Sequence, residues 1–225
     1  MVAWDRKGRL FNMMHNFQYV PRYEYMPVKK ELEKLINAVQ NELRDDYFTF
    51  SFTYVGSTHR KLITQDVGGN QGYDFDVNIH VNDDNEEFSP EEIRGIIRRA
   101  FDKHGKMFGY DFCEDSTRVL TIKRKDRFRS RIISSCDFAI VYDCLDGRQQ
   151  YIHFNKKQNV YKWEYLPMSN EKLEERAQWL KENSLWNEVR EVYIEKKNCN
   201  CNPDKRSRSL YAETINDLYR RYWKE

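Results

Sequence analysis

Residues 72–81, GYDFDVNIHV, constrain the fold more than any other stretch, because their side chains sort into two classes with a period of two. In an extended strand, neighbouring side chains point to opposite faces. Phe75, Val77, Ile79 and Val81 therefore share one face, and Asp74, Asp76, Asn78 and His80 share the other. Such a segment is a half-buried strand, and contact with solvent accounts for most of its polar face. It does not account for two carboxylates at i and i+2. They sit about 7 Å apart along a strand, repel each other, and belong to a residue type that strands avoid. A bound cation removes the conflict. Hard divalent ions such as Mg²⁺ prefer carboxylate oxygens, keep several waters and are completed by substrate phosphates.

The elements around this strand follow from periodicity and punctuation. Leu32, Leu35, Ile36 and Val39 recur at helical spacing after Pro27 and predict a helix over 27–44. YFTFSFTYV, residues 47–55, reads as a strand that stops at Gly56-Ser57. Ser89-Pro90-Glu91-Glu92 is a capping box with proline at the first helical position. Ile93, Ile96, Ile97 and Phe101 then form one face, and the helix closes near Gly105. Further strands are predicted at 117–123, 131–143 and 149–154, and three helices at the end, carried by Leu173, Ala177 and Leu180, by Leu185, Val189, Val192 and Tyr193, and by Leu210, Ile215, Leu218 and Tyr219. The expected class is α+β: a mixed β-sheet with flanking helices and a C-terminal helical appendage. Residues 1–165 form the first domain, with its α/β core near 45–165, and 166–225 the helical region.

Composition excludes several classes. The 38 Lys+Arg residues against 36 Asp+Glu leave a net charge of only +2, so attraction to a polyanion has to come from a local patch. No run approaches the roughly 18 apolar residues of a membrane span, and the start, MVAWDRKGRLFNMMHNF, lacks the apolar core of a signal peptide; a cytoplasmic protein with no membrane partner is expected. The five cysteines are odd in number and irregularly spaced, which suits reduced thiols, and Cys199-Asn-Cys201 has no second Cys or His pair at zinc-site spacing.

Two further features bear on chemistry. Asp137 interrupts the largely apolar IISSCDFAIVY, where an unpaired charge is costly. Its partner is either a metal or a local hydrogen bond or salt bridge. Val55-Gly56-Ser57-Thr58 ends a strand in a tight turn whose amides and hydroxyls suit phosphate oxygens, although many strands end in ordinary Gly-Ser turns.

Val55-Gly56-Ser57, sixteen intervening residues, Asp74-Phe75-Asp76 and a later Asp137 between Cys136 and Phe138 together resemble the polymerase-β-type nucleotidyltransferase superfamily. Gly56-Ser57-Thr58 followed by His59, Arg60, Lys61 and Thr64 is also similar to the branch containing oligoadenylate synthetases, cyclic-dinucleotide synthases and CCA-adding enzymes. The resemblance covers roughly residues 47–143. It implies a metal-dependent enzyme that transfers a nucleoside monophosphate from an NTP, ATP favoured, to a hydroxyl and releases pyrophosphate. It further implies that Asp74, Asp76 and Asp137 are the catalytic and metal-binding residues for two Mg²⁺ ions, with Mn²⁺ able to substitute. Gly56, Ser57, Thr58 and Lys61 would be nucleotide-binding. The acceptor stays open among a small molecule, a nucleotide and RNA. The alternative is a catalytically inactive nucleotide- or RNA-binding regulator with the same fold.

RVLTIKRKDRFRSR, residues 118–131, holds seven basic residues and one acid among fourteen. It reads either as a solvated hairpin tip or as a receiver of triphosphate or RNA, with Phe128 available for stacking. Arg60 reads as a solvated charge, and Asn78, His80 and His153 as structural or rim residues.

Overall fold

The structure is a computed structural model that describes residues 2–4, 10–12, 15–83, 85–167 and 171–223, with 2–4 and 10–12 described as backbone alone. Residues 1, 5–9, 13 and 14 of the leader sequence discussed above lie outside the described residues. The chain begins with three short strands, β1 (Val2–Trp4), β2 (Leu10–Asn12) and β3 (Phe17–Tyr19). Helix α1 (Arg22–Leu43), β4 (Thr49–Val55), a single helical turn α2 (Gly56–Arg60), β5 (Thr64–Asp66) and β6 (Tyr73–Asn82) follow. Next come α3 (Pro90–Gly105), β7 (Glu114–Asp115), β8 (Leu120–Asp126), β9 (Arg131–Asp143), β10 (Gln149–Asn155) and β11 (Val160–Tyr165). Helices α4 (Glu171–Glu182), α5 (Trp186–Asn198) and α6 (Ser207–Tyr222) close the chain. Among the described residues no helix is long and apolar enough to cross a membrane.

The chain divides into two compact units: Val20–Ile63 with Asn70–Pro167, and Met1–Tyr19 with Thr64–Gly69 and Met168–Glu225. The first unit is a mixed sheet ordered β11-β10-β9-β6-β4, with β8 and then β7 added beside β9. The β6–β9 pair is parallel and its other neighbours are antiparallel, so the sheet is α+β as its sequence implies. The alternation in β6 survives intact: Tyr73, Phe75, Val77, Ile79 and Val81 are buried and the residues between them are not. Their face packs on Leu32, Leu35, Ile36 and Val39 of α1 and on Ile93, Ile97 and Phe101 of α3. Phe101 stacks on Phe138 at 4.3 Å. Each such fully buried side chain contributes about 1.5–3 kcal/mol.

Ser89 caps α3 as its sequence predicts. The Glu92 amide donates to Ser89 Oγ at 3.3 Å, and Glu92 Oε2 accepts the Ser89 amide at 2.8 Å. Helix α1 starts a turn earlier than the expected 27, with Pro27 inside it. The hydrogen bond that proline cannot donate belongs to the first turns of the helix, where Tyr23 is 81% exposed. Strand β8 is displaced to 120–126 from the expected 117–123, because Ser116 and Val119 close a turn there and the buried Arg94 donates to the carbonyls of both.

In the second unit β3 pairs with β5, and α4, α5 and α6 pack through Leu173, Leu180, Val189, Tyr193, Ile215 and Leu218. Asn198 clamps β3, accepting the Phe17 amide at 2.6 Å and donating to its carbonyl at 3.1 Å.

Candidate active site

The three acids predicted from sequence come together because of one register. In the parallel β6–β9 pair Asp76 lies opposite Asp137 and Asp74 opposite Ser135. Paired positions on adjacent strands share a face about 4.8 Å apart. All three carboxylates therefore stand on the polar face of the sheet, opposite the one covered by α1 and α3. On the flanks of the same row, Val55 of β4 faces Asp76 and Thr121 of β8 faces Asp137.

Strand β4 delivers the Gly-Ser turn to this row. Gly56 has φ +60°, and a Cβ there would collide with Asp76 Oδ2, so the position requires glycine both for its conformation and for the approach of the carboxylate. The Ser57 amide hydrogen-bonds Asp76. Helix α2 ends at Lys61, itself left-handed with φ +58°, whose amide donates to the Thr58 carbonyl at 3.2 Å. Ser57 is half-buried and the Lys61 side chain exposed. Thr58 is buried, and its hydroxyl has no partner among the described residues. The predicted phosphate-binding residues thus differ: Gly56 and Ser57 touch the acid row, whereas Thr58 faces inward beneath the turn.

Electrostatics single out Asp76. Burial first, then the charges of Asp137 and Asp74, push it up to about 6, against the pull of Arg60 and the Ser57 amide. Burial also raises Asp137, although the Thr121 hydroxyl, which donates to its Oδ1 at 2.6 Å, favours the charged form. The Asp74 carboxylate takes a short hydrogen bond from the Ser135 hydroxyl. Among the described residues no three His, Cys, Asp or Glu side chains stand as a ready metal-binding group. The donor set nevertheless fits a hard divalent cation: it is all carboxylate, it shares one face, and its central member is held charged only at a cost that a cation would remove.

Sequence reading missed the groups that orient these acids. Thr121 lies on β8 opposite Asp137 and Ser135 on β9 with it, whereas Lys123 of β8 donates to Glu114 of β7 at 2.5 Å. Their only signal was polar residues at alternate positions of β8 and β9. His80, read as a rim residue, lies within a cross-strand chain on the same polar face. Its Nδ1 is 2.8 Å from Asp143 Oδ2 and its Nε2 2.8 Å from Thr53 Oγ1, while Gln149 donates to Asp143 at 2.6 Å.

This sheet, with paired acids on β6, a third on β9 and a Gly-Ser turn entering from β4, has the nucleotidyltransferase fold. Solved structures with that fold match the chain. The CD-NTase CdnG of Bradyrhizobium diazoefficiens, in complex with GTP, aligns with TM-score 0.51 and 15% identity over 72% of this chain and 42% of its own. DncV of Vibrio cholerae in its GTP-bound form aligns with TM-score 0.54 and 15% identity over 92% and 54%. The same protein, described as a cyclic AMP-GMP synthase in complex with a linear intermediate, aligns equally well. The chain spans about half the length of these structures. No protein-family model matches it. No curated protein sequence matches it either.

Proposed function

We propose that the chain is a metal-dependent nucleotidyltransferase that moves a nucleoside monophosphate from an NTP, ATP favoured, to a hydroxyl acceptor with release of pyrophosphate. One observation carries this reading: Asp76 and Asp137 face each other across parallel strands while Gly56 packs against the Asp76 carboxylate. Likeness to nucleotide-bound DncV and CdnG supports it. The catalytic role belongs to the 1–165 region, with 166–225 as a helical accessory, and the working compartment is the cytoplasm.

Asp74, Asp76 and Asp137 would hold two Mg²⁺ ions, or Mn²⁺ in their place; bound there, such ions neutralise phosphate charge and stabilise attacking and leaving oxygens. The chain's own groups do the rest. Gly56 opens the backbone to a phosphate, and the Ser57 hydroxyl donates to β- and γ-phosphate oxygens. Lys61 adds positive charge at the exposed end of the turn, and Thr58 lies buried beneath it. Asp137, raised in basicity by burial, accepts the proton of the attacking hydroxyl, while Thr121 fixes the oxygen that stays behind.

Incubation with labelled NTPs, Mg²⁺ and a panel of acceptors tests the proposal. Wild type is expected to release pyrophosphate and Asp76→Ala to lose at least about a hundredfold; release by Asp76→Ala equal to wild type sinks it. The engagement of Asp74 with Ser135 favours a second reading, an inactive nucleotide-binding regulator. NTP binding with no product from any acceptor selects that one.

A further inference from the structure

We propose that the β8–β9 hairpin is a stacking finger for single-stranded RNA, which presents its 3′ hydroxyl toward Asp137; this deepens the nucleotidyltransferase reading and rests on it for the identity of the reacting end. The tip is a built turn. Asp126 Oδ1 accepts the amides of Phe128 and Arg129, both at 3.1 Å, and Ser130, with φ +50°, turns the chain back so that Arg131 pairs with Asp126. That turn holds Phe128 wholly in solvent, at 100% exposure. A solvated tip has no use for a large apolar ring at its apex, whereas a base has a face to lay on it.

The charges beside the ring fit a phosphate chain. The side chains of Arg127, Arg129 and Arg131 are 87%, 69% and 51% exposed. Their carboxylate partners, Asp111 for the first and Asp126 for the other two, lie at 3.3, 3.9 and 3.7 Å. Exposed pairs of this kind are worth under about 1 kcal/mol, so phosphates displace them readily. Lys125 is more firmly held by Asp111, at 2.9 Å.

Position selects the acceptor rather than the NTP. The order β4-β6-β9-β8 places the Gly56–Ser57 turn on one flank of the acid row and the hairpin on the other. The Asp126–Arg131 pair lies five residues along β8 from the Thr121–Asp137 pair, about 17 Å. A mononucleotide at the acids does not reach Phe128, and an oligonucleotide does. Three arginines around one ring also suit an anionic membrane surface. The length requirement and the neighbouring acid row favour RNA.

The test is fluorescence anisotropy of the full chain with labelled single-stranded RNA of about 4 to 16 nucleotides, without divalent metal. Binding is expected to strengthen with length, and its log–log salt slope to be about −2 for three arginine contacts. Phe128→Ala, which removes a side chain in solvent, should weaken binding about tenfold, and Arg127→Ala with Arg129→Ala should flatten the slope by about 1.4. Absence of RNA binding, or binding indifferent to Phe128→Ala, overturns the proposal. So does binding to phosphatidylserine vesicles that depends on Phe128 while RNA binding does not. Finger-dependent RNA binding without pyrophosphate release from any NTP upholds the finger and overturns only the catalytic reading.

Discussion

At Asp76, stability and chemistry pull in opposite directions. The carboxyl titrates near 6 in the fold against 3.8 in an unconstrained aspartate, so between these values the folded state binds more protons than the unfolded one. Stability from this group is therefore greatest below about pH 4 and falls as pH rises through 6. Above that, the charged form costs about 2–3 kcal/mol. Asp137, also raised, acts in the same direction. Asp76→Asn should consequently raise the melting temperature of metal-free protein at pH 8, have little effect at pH 4, and abolish pyrophosphate release; a lower melting temperature at pH 8 would contradict the account. Gly56→Ala should lose activity and about 1–2 kcal/mol or more of stability on denaturant titration, from its left-handed backbone and from displacement of the Asp76 carboxylate. The acids were legible in sequence because carboxylates are conspicuous in a strand. Thr121 and Ser135 were not, since a hydroxyl in a strand is ordinary until register sets it against an acid.

At the scale of elements, periodic patterns survived and short or buried-polar features did not. Helix α3 runs Pro90–Gly105 as its capping box and apolar face predict, and β9 runs 131–143 as its apolar alternation predicts. Strands β7 and β11 were missed: the first has two residues, and the second, VYKWEY, buries little. What holds β7 is Arg94, 1% exposed, a charged residue within the apolar face of α3. Its guanidinium donates to Asp115 and to the carbonyls of Ser116, Val119 and Ile152. Single-sequence patterning assigns such a residue to solvent, because only the fold supplies its four acceptors. Arg94→Ala takes one donor from the Asp115 carboxylate and one from each of three carbonyls, although the Tyr161 hydroxyl still donates to Asp115 and Ser116 still donates to the Val119 carbonyl. It should cost about 3–5 kcal/mol in chemical denaturation and detach β7 from the sheet, seen as faster amide exchange at 114–121. A loss under about 1 kcal/mol would show that the arginine is dispensable.

For the whole molecule, a net charge of +2 conceals a strongly acidic row and a basic hairpin on adjacent strands. Mg²⁺ should act on the first. At a hundredfold excess over its dissociation constant it adds about 2.7 kcal/mol, which for a chain of this size is several degrees of melting temperature. The gain should be larger at pH 8 than at pH 5, where protons already relieve Asp76. Equal gains at both pH values, or equal gains in Asp76→Asn, would place the ion elsewhere. The most direct measurement is a crystal structure with Mn²⁺ and a non-hydrolysable NTP. Metal density is expected bonded to Asp76 and Asp137, with Asp74 turned from Ser135 toward it and the triphosphate against Gly56 and Ser57. Nucleotide bound away from the Gly56 turn, or metal with no contact to Asp76, would contradict the account.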